Sequence, residues 1–178
     1  AATSPAGPRR SCEHSPGGTA VEEKMIAVDG RKLHVSDTGS GPVTLLILSG
    51  SNILFPSLEY APLADALSPW YSVLIPSKFG YGHSDLTEAP RDVDTVVEEY
   101  RRVLSACGIP VPVVLAAHSM GFLEALHWAF KYPEEVSALV GLDPAVPEVY
   151  QHMDLEAILS RLEALNRSGW KRTLLFWL

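Results

Sequence analysis

The stretch Ala117-His118-Ser119-Met120-Gly121 constrains the fold of this 178-residue chain more than any other. Residues 111–116 lead into it as an apolar, β-branched run that reads as a buried parallel strand. After Ser119 the period changes. Phe122, Ala125, Leu126, Ala129 and Phe130 recur at helical spacing, which predicts a helix laying one apolar face on a sheet. A strand that becomes a helix within so few residues needs small residues two places to either side of the turn. Gly121 meets that need, and Ala117 is small without being glycine.

A serine on such a turn is presented as a nucleophile, with the amino end of the helix pointing at it. The backbone N–H of Met120 and the helix dipole then face any negative charge that forms on an attacked carbonyl. Acyl transfer is the reaction class this implies; the alternative is a serine that only caps the helix. Adjacent residues on a tight turn project apart, so His118 reads as a packing or hydrogen-bonding residue rather than a base for its neighbour.

A hydrophobic fraction of 47% can bury one substantial core, so a single globular domain is expected. The net charge of -7 argues against a phosphate-backbone partner, and nucleic acid is not an expected ligand. No CxxC, HExxH, Walker-type loop or strand-following GxGxxG occurs, so neither a metal nor a nucleotide cofactor is expected. Nothing beyond an even count supports a disulfide between Cys12 and Cys107. No stretch reaches the ~18 apolar residues that span a bilayer, and no charged-then-apolar leader is visible. The first residue is Ala1, which leaves the compartment open: cytoplasmic by default, extracytoplasmic if a leader or anchor was removed. Residues 1–20, rich in Pro, Gly and Ser, read as a disordered tail.

Two strand-like runs, residues 25–28 and 32–35, meet at Asp29-Gly30, a hairpin signal. Residues 43–48 form an almost unbroken apolar strand that ends at Ser49-Gly50-Ser51-Asn52. A short helix over residues 58–67 and a strand over 71–75 follow, closing in Gly80-Tyr81-Gly82-His83-Ser84-Asp85, where the glycines supply backbone freedom. Val93, Val96, Val97, Tyr100 and Leu104 mark a helix opened by Asp92 and Asp94 and ended by Gly108. Residues 136–142 give one more strand, stopped by Asp143-Pro144. Strands alternating with helices predict an α/β fold whose parallel sheet is covered on both faces and binds ligands at the carboxyl ends of its strands. All four loops of interest, residues 49–52, 79–85, 117–121 and 143–147, fall at that end.

The segments LLILSGS, IPSKFGYGHSD, LAAHSMG and KYPEEVSALVGLDPAVP together resemble the α/β-hydrolase superfamily over residues 24–147. The branch is that of ester hydrolases, proline iminopeptidase-like enzymes and epoxide hydrolase-like folds. The resemblance implies a mostly parallel sheet with an antiparallel amino-terminal hairpin. It makes Ser119 the nucleophile and the backbone N–H groups of Met120 and Ser51 the oxyanion hole, with Ser49-Gly50 standing where many relatives have His-Gly. Asp143 is a candidate acid, with a turn role before Pro144 as the alternative, and Asn52 adds either a donor or only a solvated loop residue. The histidine of relatives follows their last strand; here His14, His34 and His127 are out of place. His83 and His152 can approach the pocket, as substrate-side or surface residues rather than as the base.

Residues 154–166 read as an amphipathic helix where relatives place a lid, and the chain stops inside Leu174-Leu175-Phe176-Trp177-Leu178, which reads as truncation before the last strands. The expected organisation is therefore a tail over 1–20, an incomplete hydrolase core over 21–147 and the start of a helical cap over 148–178. The resemblance implies a cofactor-free serine hydrolase acting on small-molecule carboxylic esters or related acyl substrates, incomplete in this chain. The alternative is a non-catalytic binding protein or inactive fragment on the same scaffold. Oligomeric state is not legible.

Overall fold

The structure, a computed structural model, describes residues 21–148 and 160. The expected tail, Cys12, His14, His152 and most of the expected lid segment lie outside the described residues. Six strands form one sheet: β1 (Glu22–Val28), β2 (Arg31–Thr38), β3 (Val43–Leu48), β4 (Tyr71–Pro76), β5 (Val113–Ser119) and β6 (Val136–Pro144), in the order β1-β2-β4-β3-β5-β6. β1 pairs antiparallel with β2, and β2 with β4, whereas β4, β3, β5 and β6 run parallel. This is the mostly parallel sheet with an antiparallel amino-terminal hairpin that the sequence predicts.

Local chemistry accounts for the elements. At the β1–β2 turn Asp29 and Gly30 have φ of 51° and 77°, the two positive values that a type I′ hairpin requires. Along β3, Leu45 and Ile47 face one apolar cluster and Leu46 and Leu48 the other, as a strand buried on both sides must. Helices α3 (Val93–Cys107) and α4 (Gly121–Lys131) cover the face of Leu46 and Leu48, while Tyr60 and Ala64 cover the other. The Asp92 carboxylate caps α3 by accepting from the Thr95 N–H at 2.8 Å, and Gly108, at φ 66°, closes its carboxyl end.

Three expectations need correction. The helix expected over residues 58–67 is two helices, α1 (Pro56–Glu59) and α2 (Ala61–Leu67), because Pro62 in the first turn of α2 lacks the N–H that would continue α1. The buried face of α4 is Gly121, Glu124, Ala125 and Trp128, and Phe130, expected inside, is 88% exposed. The close seat of Gly121 against β3 sets the rotation of that helix, and every later residue follows from it. Finally, β6 has one half-buried residue in every three and the other two exposed, so among the described residues the sheet is not covered on both faces there.

Between α3 and α4, Glu98 meets Arg101, Lys131 and the Tyr132 hydroxyl. Desolvation pushes its carboxyl up, but the hydrogen bonds from Tyr132, Lys131 and Arg101 outweigh that and hold it down at about 2. The folded value lies below the unfolded one of roughly 4.3. The stabilisation is therefore present above that pH and lost as pH falls through the folded value. Urea titrations from neutral to acid pH should show a smaller acid loss of stability for Glu98→Gln than for the parent; equal losses would remove this cluster from the account.

Candidate active site

Ser119 ends β5 with φ 48°, a conformation that a residue with a side chain rarely adopts, and Met120 at φ −59° begins the helical turn. A Cβ on Gly121 would lie 2.7 Å from the carbonyl oxygens of both Leu48 and Ser49, so only glycine lets α4 seat on the end of β3. A Cβ on Gly50 would lie 2.9 Å from His118 Nδ1 and 3.0 Å from Ser119 Cβ. The loop after β3 thus crosses directly over the serine, and its next residue, Ser51, lines one cavity of about 270 Å³ together with Met120.

Asp143 reaches the same edge of the sheet one strand over. His118 registers with Leu142 but Ser119 with Pro144, so Asp143 is the extra residue of a bulge, exposed and at φ 47°. The Ala145 N–H donates to the Ser119 carbonyl at 3.0 Å and ties that loop to the elbow. Asn52 is exposed at φ 64°, which asparagine tolerates better than most residues, so the turn alone accounts for its identity.

The described histidines stand elsewhere. His83 packs edge-on against His34 and Phe55, with ring centroids 5.2 and 5.9 Å away, and lines a different cavity from that of Ser51 and Met120. His34 joins Ser77 Oγ at 3.2 Å through Nδ1 and Glu23 at 2.7 Å through Nε2. Ser77 is fully buried, so this serine–histidine–glutamate chain fastens β1, β2 and the loop after β4 rather than presenting a nucleophile. His127 contacts Asp94 on the outer surface. His118 packs edge-on against Tyr60, and its buried Nδ1 has no hydrogen-bond partner among the described residues. Burial pushes the Tyr60 phenol up to about 12; the Gly50 amide faces its oxygen, pulling the other way, without completing a hydrogen bond of full geometry. No hydrogen bond joins a described histidine to Ser119 or Asp143.

A group that the sequence reading missed lies against the candidate site. Lys78 and Glu124, 6% and 8% exposed, form an ion pair that also lines the Ser51–Met120 cavity. The Tyr100 hydroxyl donates to the second Glu124 oxygen at 3.3 Å, and Arg91 holds the buried Glu99 through two hydrogen bonds of 2.6 and 3.0 Å. Burial raises the Glu124 carboxyl, with Lys78 and Tyr100 opposing. The one available signal was a glutamate three residues after Gly121, on the stripe that the elbow turns inward. Lys78→Met should destabilise the protein by about 3 to 5 kcal/mol in urea unfolding by leaving a buried carboxylate unpaired, and adding Glu124→Gln should restore most of that. Equal stability of the single variant and the parent would show the pair to be solvated.

Among the described residues no three His, Cys, Asp or Glu side chains are placed to share a metal ion, and no helix is long and apolar enough to cross a membrane. The alpha/beta hydrolase fold family matches residues 45–170. The chain is 35% identical over 134 residues to the uncharacterized protein YbdG of Bacillus subtilis (strain 168), covering 75% of this chain and 41% of that protein. It is 36% identical over 115 residues to Lipase LipV of Mycobacterium tuberculosis (strain ATCC 25618 / H37Rv), covering 64% and 42%. A solved thioesterase domain from the curacin biosynthetic pathway superposes with a TM-score of 0.64 at 27% identity, covering 84% of this chain and 54% of that one. The chain thus spans about two fifths of the length of these curated relatives. On the match over residues 45–170 and the geometry of its elbow, the chain belongs to the alpha/beta hydrolase fold family.

Proposed function

We propose that the protein is a serine hydrolase of carboxylic esters or related acyl substrates, with Ser119 as the nucleophile and the backbone N–H groups of Ser51 and Met120 as the oxyanion hole. The observation that carries this reading is the positive φ of Ser119 between two glycines whose missing side chains let β3 and α4 close on it. Strain held at a strand-to-helix turn is how a serine is lifted clear of its own backbone. A lipase and a thioesterase among the similar proteins are in keeping with acyl chemistry. In this proposal Asp143 is the candidate acid, and the base comes from outside the described residues, since an unassisted serine is a weak nucleophile at neutral pH. Asn52, His83 and His152 are assigned only to the substrate side.

A fluorophosphonate tests this: the complete protein should be labelled at Ser119, as read by peptide mass mapping, while the 178-residue chain alone turns esters over poorly. A folded complete protein left unlabelled would overturn the catalytic reading. It would favour the second one, a binding protein on the hydrolase scaffold, for which the observation is that no described histidine is hydrogen-bonded to Ser119.

A further inference from the structure

The Lys78 side chain is buried, lines the cavity that Ser51 and Met120 also line, and among the described residues bonds only Glu124. An ammonium has three donors, so two have no acceptor among the described residues. Glu124 accepts from Lys78 on one oxygen and from Tyr100 on the other, and Arg91 is engaged with both oxygens of Glu99. Lys78 and Arg91 line the cavity with Glu124, and Glu99, outside the lining, balances Arg91 as Glu124 balances Lys78, so the two ion pairs together are neutral and leave the wall rich in donors. A buried ion pair seldom stabilises a fold more than apolar residues of the same volume would. Its place against a cavity at the candidate oxyanion hole therefore calls for a binding role.

We propose that this cavity is an acyl subsite selective for oxo-acyl chains, in which Lys78 Nζ donates a hydrogen bond to an uncharged oxygen a few bonds from the carbonyl that Ser119 attacks. The proposal rests on the reading of Ser119 as the nucleophile. Val93, Val96 and Leu123 offer apolar contact to the methylenes, and about 270 Å³ leaves room for several non-hydrogen atoms. A plain alkyl chain leaves the Lys78 donors unmatched, which costs affinity. A carboxylate adds a third negative charge to the two ion pairs, Lys78–Glu124 and Arg91–Glu99, with no third cation to meet it.

Three N-methylamide probes, two uncharged and one anionic, separate these cases in an NMR titration of the complete protein: N-methyl-3-oxobutanamide, N-methylbutanamide and N-methylsuccinamate. The oxo amide should bind roughly tenfold more tightly than the other two, the worth of one hydrogen bond to a charged donor. Lys78→Met/Glu124→Gln, which leaves no buried charge unpaired, should bring the oxo and alkyl amides to equal affinity. Ser119→Ala should keep the preference, so a failure of the catalytic reading shows in labelling and not here. Equal binding of the oxo and alkyl amides by the parent, a preference for the succinamate, survival of the oxo preference in the double variant, or no binding of any probe up to its solubility would each overturn the proposal.

Discussion

Replacing Ser119 by alanine is expected to abolish fluorophosphonate labelling of the complete protein and to lower ester turnover by roughly a thousand- to a million-fold. The size follows from the way nucleophile and base act as a unit: once the oxygen that attacks is gone, only binding and the oxyanion donors remain to assist water. Folding should be little changed. The serine is half-buried at the end of β5, its φ of 48° is set by the backbone around it, and alanine removes one hydroxyl from the edge of the sheet. Circular dichroism and urea unfolding of the variant should match the parent. Turnover within tenfold of the parent would mean that another nucleophile carries the reaction.

Gly121→Ala is expected to have the largest effect on stability of any single methyl group added near the site. Its Cβ would meet two backbone carbonyl oxygens at 2.7 Å, and neither can swing aside as a side chain can. Either α4 lifts from β3 or β3 shifts, at a cost of about 3 kcal/mol, which lowers the thermal midpoint by roughly 6 to 12 °C. Because α4 begins at the candidate oxyanion donor Met120, the same displacement should also slow labelling of Ser119. Gly108→Ala is the comparison: no atom lies within 4 Å of the added carbon, so only its φ of 66° is strained and the loss should be about 1 kcal/mol. Equal midpoints for the two variants would show that the elbow is not tightly seated.

What could be read from the sequence was what is written locally. The apolar runs of β3, β4 and β5, the Asp29-Gly30 hairpin, the Asp92 and Gly108 caps and the small residue at 121 each leave a signature within a few positions. The polar end of β2 carries no local strand signal, because Ser36, Asp37 and Thr38 take their places in the sheet by pairing with β4, 35 or more residues later in the chain. The rotation of α4 was misjudged because hydrophobicity alone would place Phe130 inside, whereas the fit of Gly121 against β3 decides the matter. Lys78 and Glu124 belong to a loop and a helix far apart in sequence, and neither carries a mark of the other. The separation of His83 from the Ser51–Met120 cavity is likewise a product of tertiary packing: the Ser84 hydroxyl and the Asp85 carboxylate receive the β2 amides of His34 and Lys32, which turns that loop toward the hairpin.

The parallel pairing of β3 with β5 joins Leu45 to Val114, roughly 70 positions apart, so the chain must close a long loop before either strand gains from the contact. Ser51 hangs from one of these strands and Met120 from the other. The two candidate donors therefore have no common location in a partly folded chain, however much hairpin or helix it holds. The proposed anion-binding geometry forms only with the global topology, so under that proposal a newly made chain stays chemically silent until its central strands have met.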